Sequence, residues 1–174
     1  MPSVPAAATA ATALLALALA GGTALATDAG PPTSLIQEAS VSLRLAEEAA
    51  AAAVEACEAQ GFLVSAAVVD RGGNLQALLR ADGAGPHTTD SSFKKAYTAL
   101  TLREPTGELA QLIVDLPQAQ GLRDMNENIL ILGGGLPIEI GGEVVGGIGV
   151  GGAPGGNLDE ACAEAGLRAI GAGE

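Results

Sequence analysis

From Ser40 to Gln60 the chain reads SVSLRLAEEAAAAAVEACEAQ, with apolar residues at helical spacing and Gly61 just past the end. That pattern predicts a long amphipathic helix that stops at the glycine. The pattern then shortens. FLVSAAVVD and LQALLRAD are aliphatic runs on either side of RGGN, which predicts a hairpin with Gly72 and Gly73 in its turn. GAGPHTTD reads as a loop. SSFKKAYTALTLRE returns to helical character, with Asp90 or Ser91 placed to cap it. Pro105 interrupts that helix, Thr106 can cap a further one over GELAQLIVDL, and Pro117 ends it. After the polar loop QAQGLRDMNEN, the stretch ILILGGGLPIEIGGEVVGGIGVGG supplies two or three short strands turning at Gly141 and Gly142. A last helix, NLDEACAEAGLRAI, begins near Asn157 or Asp159. Hairpin-linked strands among helices imply an α+β layered fold, with an antiparallel sheet of about five strands and flanking helices.

The first 26 residues stand outside this pattern. They carry no charged side chain, contain the apolar run TALLALALA and end on Ala24-Leu25-Ala26. They read as a secretory signal peptide, although no Lys or Arg precedes the run, with an uncharged disordered tail as the alternative. The run is too short for a comfortable membrane span. Residues 27–39 read as a flexible linker and residues 40–174 as a single domain.

Charge narrows the partners. The formal net charge is −12, all of it outside the apolar leader. Nucleic acid and anionic membrane surfaces need a basic face, so both are excluded as expected partners. Two cysteines, Cys57 and Cys162, form no C-x-x-C motif, so neither zinc nor thioredoxin-type chemistry fits. Each falls in an expected helix. In an exported chain they can pair; two buried free thiols are the alternative.

The run GGIGVGGAPGG, Gly146 to Gly156, contains G-x-G-x-x-G at Gly147, Gly149 and Gly152. A dinucleotide site needs a second parallel strand and an acidic residue about 20 positions on. The chain has no room left for that strand. Asp159 and Glu160 also sit where a pyrophosphate would approach the helix start. The glycines are better explained by a strand packed closely against another backbone.

Five segments in order then match one family: AAVVDRGGNLQALLRADGAGP, KKAYTAL, PTGELA, GGGLPI and VVGGIGVGGAPGGNLDEACAEAG. From about Ser40 to Gly171 the chain resembles the GlcG/HbpS family of small haem-binding proteins. The resemblance implies a profilin-like layered α+β fold that assembles into homo-oligomers, often octamers. It implies haem as cofactor, an exported protein in iron and redox sensing, storage or detoxification, and a sensor kinase as partner. Other members sit in glycolate or corrinoid pathways, and a few relatives are enzymes. The family often has serine where this chain has Gly151.

Haem needs an axial ligand and cations for its propionates. His87 is the one histidine, in the loop GAGPHTTD; Tyr97 is the one tyrosine, and Met125 the one methionine beyond the leader. The resemblance instead points to a threonine in the PT segment, here Thr106, as iron ligand, the alternative being a helix cap. Arg80, Lys94, Lys95 and Arg103 form a local basic stretch suited to carboxylates. Salt bridges from the lysines to Asp82 or Asp90 are the alternative. Phe93 and Tyr97 share a helix face and either stack on a porphyrin or fill the core. Glu55 and Glu58 form E-x-x-E, a pair able to hold surface iron or simply to face water.

Asp70 is the best acid candidate for catalysis, against a role in organising the hairpin turn. No Ser-His-Asp spacing or metal-hydrolase motif is present. Three readings follow: an exported haem-binding oligomer, an enzyme acting on a carboxylate through Lys95 and Arg80, or a sensor partner without an active ligand site.

Overall fold

A computed structural model describes residues 34–173; the expected signal peptide lies outside them. Helix α1 (Leu43–Glu58) is followed by β1 (Ser65–Asp70), β2 (Leu75–Arg80), α2 (Thr88–Leu102) and α3 (Thr106–Asp115). A 3₁₀ helix (Pro117–Asp124), β3 (Gly135–Ile140), β4 (Glu143–Gly151) and α4 (Gly156–Ala169) complete the folded unit. The four strands form one antiparallel sheet in the order β2-β1-β4-β3. Helices α1 and α4 pack on one face, and α2 covers the other. The α+β fold is as expected, with four strands rather than about five.

The missing strand has a tertiary cause. ILIL turns its backbone to other partners: Leu130 N–H donates to the Thr98 hydroxyl at 2.8 Å. Ile129 and Ile131 bury against Leu109 and Ile113 of α3. The ladder therefore begins only at Gly135.

On β1, Ala66 and Val68 face α1 and α4, while Val69 meets Ala96 and Leu100 of α2. On β4, Ile148 and Val150 join the first of these layers. The alternate positions are Gly147, Gly149 and Gly151. A Cβ on Gly147 would strike the Ala96 carbonyl oxygen. One on Gly149 would strike the Ser92 carbonyl oxygen and the Ala96 nitrogen, and one on Gly151 the Ser91 hydroxyl. The backbone of α2 thus lies directly on the strand, as the close-packing reading of the glycine run requires. Gly151, the position of the family's serine, is part of this contact.

Helix α1 is capped by Ser42, whose Oγ accepts Leu45 N–H at 3.4 Å. Ala46, Ala49, Ala50, Ala53 and Cys57 make its fully buried stripe. Cys57 and Cys162 are joined as a disulfide between α1 and α4, with Cα atoms 5.6 Å apart. Helix α2 begins at Thr88, ahead of the expected Asp90 or Ser91 cap, because the Thr88 hydroxyl bonds Gly85 carbonyl and Ser65 hydroxyl at 2.7 Å each. Thr106 is not a cap either: Pro105 holds that position.

Two tests follow. Gly149→Ala forces α2 off the sheet and should lower stability by about 2–3 kcal/mol in chemical denaturation. Gly121→Ala, a position with open space, should change it by less than about 0.5 kcal/mol. Removing the disulfide with Cys57→Ala/Cys162→Ala should cost about 2–4 kcal/mol, because the bond closes a long loop. The reduced native chain should show a comparable fall in its denaturation midpoint.

Candidate functional site

The expected basic cluster is divided by the fold. In the second turn of α2, Lys94 pairs with Asp90 at 3.2 Å, and at the end of β2 Arg80 Nε donates to the Ala84 carbonyl at 3.0 Å. His87 is exposed at the N-cap of α2 and makes no capping bond. Arg103 ends the same helix, nine residues beyond Lys94 and so about 13 Å along its axis. Sequence proximity had grouped residues that the helix separates.

Lys95 points inward. It is 2% exposed, and its Nζ donates to Asp159 Oδ2 at 2.7 Å and to the Val150 carbonyl at 2.9 Å. Asp159 is 3% exposed, and its other oxygen accepts Ala153 N–H at 2.9 Å. Burial pushes the Asp159 carboxyl above its ordinary range, while Lys95 and the Ala153 N–H pull it down. The lysine is therefore neither free for a carboxylate ligand nor paired with Asp82 or Asp90. Asp159 went unrecognised because a first-turn acid normally faces water. Thr106 is also buried, its hydroxyl accepting Gly135 N–H at 2.8 Å. Among the described residues, no fully buried side-chain nitrogen or oxygen lacks a partner.

Glu160, beside Asp159, borders a hollow of about 390 Å³ with Glu108, Glu164 and Asn157. Burial raises its carboxyl; backbone N–H groups of Gly134 and Gly107 oppose the shift, and the charges of Glu164 and Glu108 add to it. Glu55 and Glu58 are exposed on α1. Among the described residues no three His, Cys, Asp or Glu side chains gather as a metal site. Asp70 accepts Asn74 N–H at 2.8 Å and organises the hairpin turn.

A cleft absent from the sequence reading lies where that turn meets the end of α2. It encloses about 290 Å³, bordered by Arg71, Arg103, Tyr97, Thr101, Glu38 and Gly73. The Tyr97 ring rests over Gly73, where a Cβ would come within 2.8 Å of it. Phe93 lies 6.2 Å from Tyr97 between ring centroids, and both are only partly buried. In sequence Arg71 is only the first residue of the turn RGGN. Its side chain crosses from β1 to donate to the Val144 carbonyl and pairs with Glu38 at 3.3 Å.

The class is that of a small α+β module: one antiparallel sheet, helices on both faces, ligand-sized polar hollows at the rim. The chain belongs to the HbpS-like family, whose model, described as haem degrading protein HbpS-like, matches residues 41–168. A crystal structure of a Streptomyces reticuli HbpS double mutant is 46% identical, with a TM-score of 0.74 over 80% of this chain and 93% of that one. The PduOC–haem complex is 26% identical, with a TM-score of 0.70 over 77% of this chain and 97% of that one. Protein GlcG of Escherichia coli K12 is 31% identical over 110 residues, 63% of this chain and 80% of GlcG. An uncharacterised 15.0 kDa Citrobacter freundii protein from the dhaT-dhaS intergenic region is 42% identical over 86 residues. That match spans 49% of this chain and 61% of the relative.

The buried pair yields a prediction. Lys95→Met strands the Asp159 charge and should destabilise by about 3–5 kcal/mol. Lys95→Met/Asp159→Asn removes the charge, keeps an acceptor for Ala153 N–H, and should recover more than half of that loss in a double-mutant denaturation cycle.

Proposed function

We propose that the chain is an exported, oligomeric haem-binding protein. One observation carries this reading: the folded unit matches the HbpS-like model over residues 41–168 and shares its fold with a protein solved in complex with haem. The Cys57–Cys162 disulfide supports export, because such bonds persist in oxidising compartments. The apolar leader agrees with it. Oligomer formation is supported by exposed apolar side chains, Val114 and Leu116 at the end of α3 and Met125 after the 3₁₀ helix. Roles in iron and redox sensing, and a kinase partner, belong to the same proposal.

The donors in this chain fit haem iron unequally. A tyrosine oxygen is an established kind of haem ligand, and Tyr97 borders an open cleft. Thr106 reaches iron only if α3 releases Gly135. His87 is exposed at the start of α2 and borders none of the hollows described above. No single-chain cleft described above is large enough to enclose a macrocycle, so a second copy would complete the slot. Haem, when bound, supplies the redox chemistry; the chain supplies orientation and exclusion of water.

Haemin titrated into the full chain should give a shifted Soret band that saturates at fixed stoichiometry. Absence of any shift with haemin in excess would sink the reading. Tyr97→Phe should alter the bound spectrum and His87→Ala should not. A spectrum changed only by Thr106→Ala would assign the ligand to the threonine.

A further inference from the structure

The chain has eight lysines and arginines. Five hold a carboxylate: Arg44, Arg71, Lys94, Lys95 and Arg168. Arg80 holds a backbone carbonyl. Arg103 and Arg123 make neither an ion pair nor a side-chain hydrogen bond among the described residues. Arg123 borders none of the clefts described above. Arg103 borders three hollows: the cleft at the β1–β2 turn, an adjoining one of about 350 Å³ that shares Arg71 and Val144 with it, and a third beside Pro105 and Leu136.

Backbone geometry singles out Arg103 again. Its φ is 56°, the one positive value at a non-glycine position among the described residues. Glycine or asparagine ends a helix in this conformation at less cost than a side chain with a full Cβ. A strained residue that also presents an unpaired guanidinium to a hollow points to a use for the side chain.

We propose that the cleft between the β1–β2 turn and the end of α2 is a carboxylate-binding site, with Arg103 and Arg71 as paired anchors. Arg71 is held in place from β4 by Val144 and from the front by Glu38. The Val144 bond uses one of its five N–H donors, the Glu38 contact is an ion pair, and the remaining donors are left for a ligand. The Tyr97 phenol and Thr101 hydroxyl border the same space. Two guanidiniums recognise carboxylate oxygens through parallel N–H bonds.

Size and charge limit the ligand. A volume of about 290 Å³ is at the small end for ligand sites, so a small organic acid, or one acidic arm of a larger molecule, fits. Glu38 faces the cleft, and Glu139 and Glu143 face the adjoining hollow. These acids oppose a densely charged ligand such as a polyphosphate and leave a mono- or dicarboxylate favoured. The carboxylate can belong to a free acid or to a tetrapyrrole propionate. The site itself does not depend on the haem reading.

The test is calorimetric titration of the full chain with malonate, in parallel with haemin and haemin dimethyl ester followed by absorbance. Malonate should bind saturably, and at least tenfold more weakly to Arg103→Gly and Arg71→Gln. Arg103→Gly should melt no lower than the wild type, because glycine suits the left-handed position; its loss of binding is then not a loss of fold. Competition between malonate and haemin, with the ester binding more weakly, identifies propionates as the source. Malonate binding that leaves haemin affinity untouched identifies a free acid. Malonate binding with no haemin shift removes the haem reading and supports this one. Malonate that fails to saturate, or that binds Arg103→Gly as tightly as the wild type, overturns the proposal.

Discussion

The backbone of α2 lies in contact with the backbone of β4, and most of the molecule is arranged around that contact. Three alternate strand positions, Gly147, Gly149 and Gly151, carry no side chain to hold the helix away. The helix answers with small residues, Ser92 and Ala96. Two consequences follow from this closeness. The Lys95 side chain reaches past the strand to Val150 carbonyl and to Asp159 on α4, so the helix on one face is tied to a helix on the other. The ends of α2 are also fixed relative to the sheet, and these ends carry the groups that meet solvent.

The buried ion pair is a registration device more than a source of stability. Removing two charges from water costs several kcal/mol per ion, and their attraction repays this only with good geometry. Here the geometry is complete: Asp159 takes Lys95 on one oxygen and Ala153 N–H on the other. Thr98 and Thr106 act similarly, holding Leu130 and Gly135 N–H groups of the segment that leads into β3. Helix, loop and strand therefore have one low-energy alignment. That alignment places Arg103 opposite Arg71 at the open end.

Much of the fold was legible because its signals are local. The period of α1, the glycines of both hairpin turns and the prolines around α3 act over a few residues, and the corresponding elements are present. The failures were of another kind. ILIL looks like a strand by composition, yet Thr98 and α3, distant in sequence, take its backbone and side chains. Lys95 and Arg103 read alike as members of one basic stretch, but more than two helical turns separate them, one facing the core and the other ending α2. Arg71 seemed an accessory of its turn because the partner strand that directs it, through Val144, lies 73 residues away. The family resemblance named Thr106 without showing that its hydroxyl is already engaged.

The composition explains why the chain uses a covalent tie. Aromatic residues are 2% of the sequence, and the layer between α1, α4 and the sheet is mostly Ala, Val and Ile. Such side chains bury little apolar area each, and hydrophobic stabilisation scales with that area. Small residues compensate by bringing elements together: Gly166 of α4 sits against the Ala49 carbonyl of α1, where a Cβ would come within 2.6 Å. Close approach of two helices also brings Cys57 and Cys162 into bonding distance. Removal of loop entropy by the disulfide then offsets what a thin core does not supply. The economy in side-chain bulk has a further result. With so few large residues inside, the two rings of α2 serve small secondary clusters: Phe93 packs with Val69, Ala96 and Leu100, and Tyr97 packs beside Leu109, Ile113, Ile129 and Ile131 while also bordering the cleft at the β1–β2 turn.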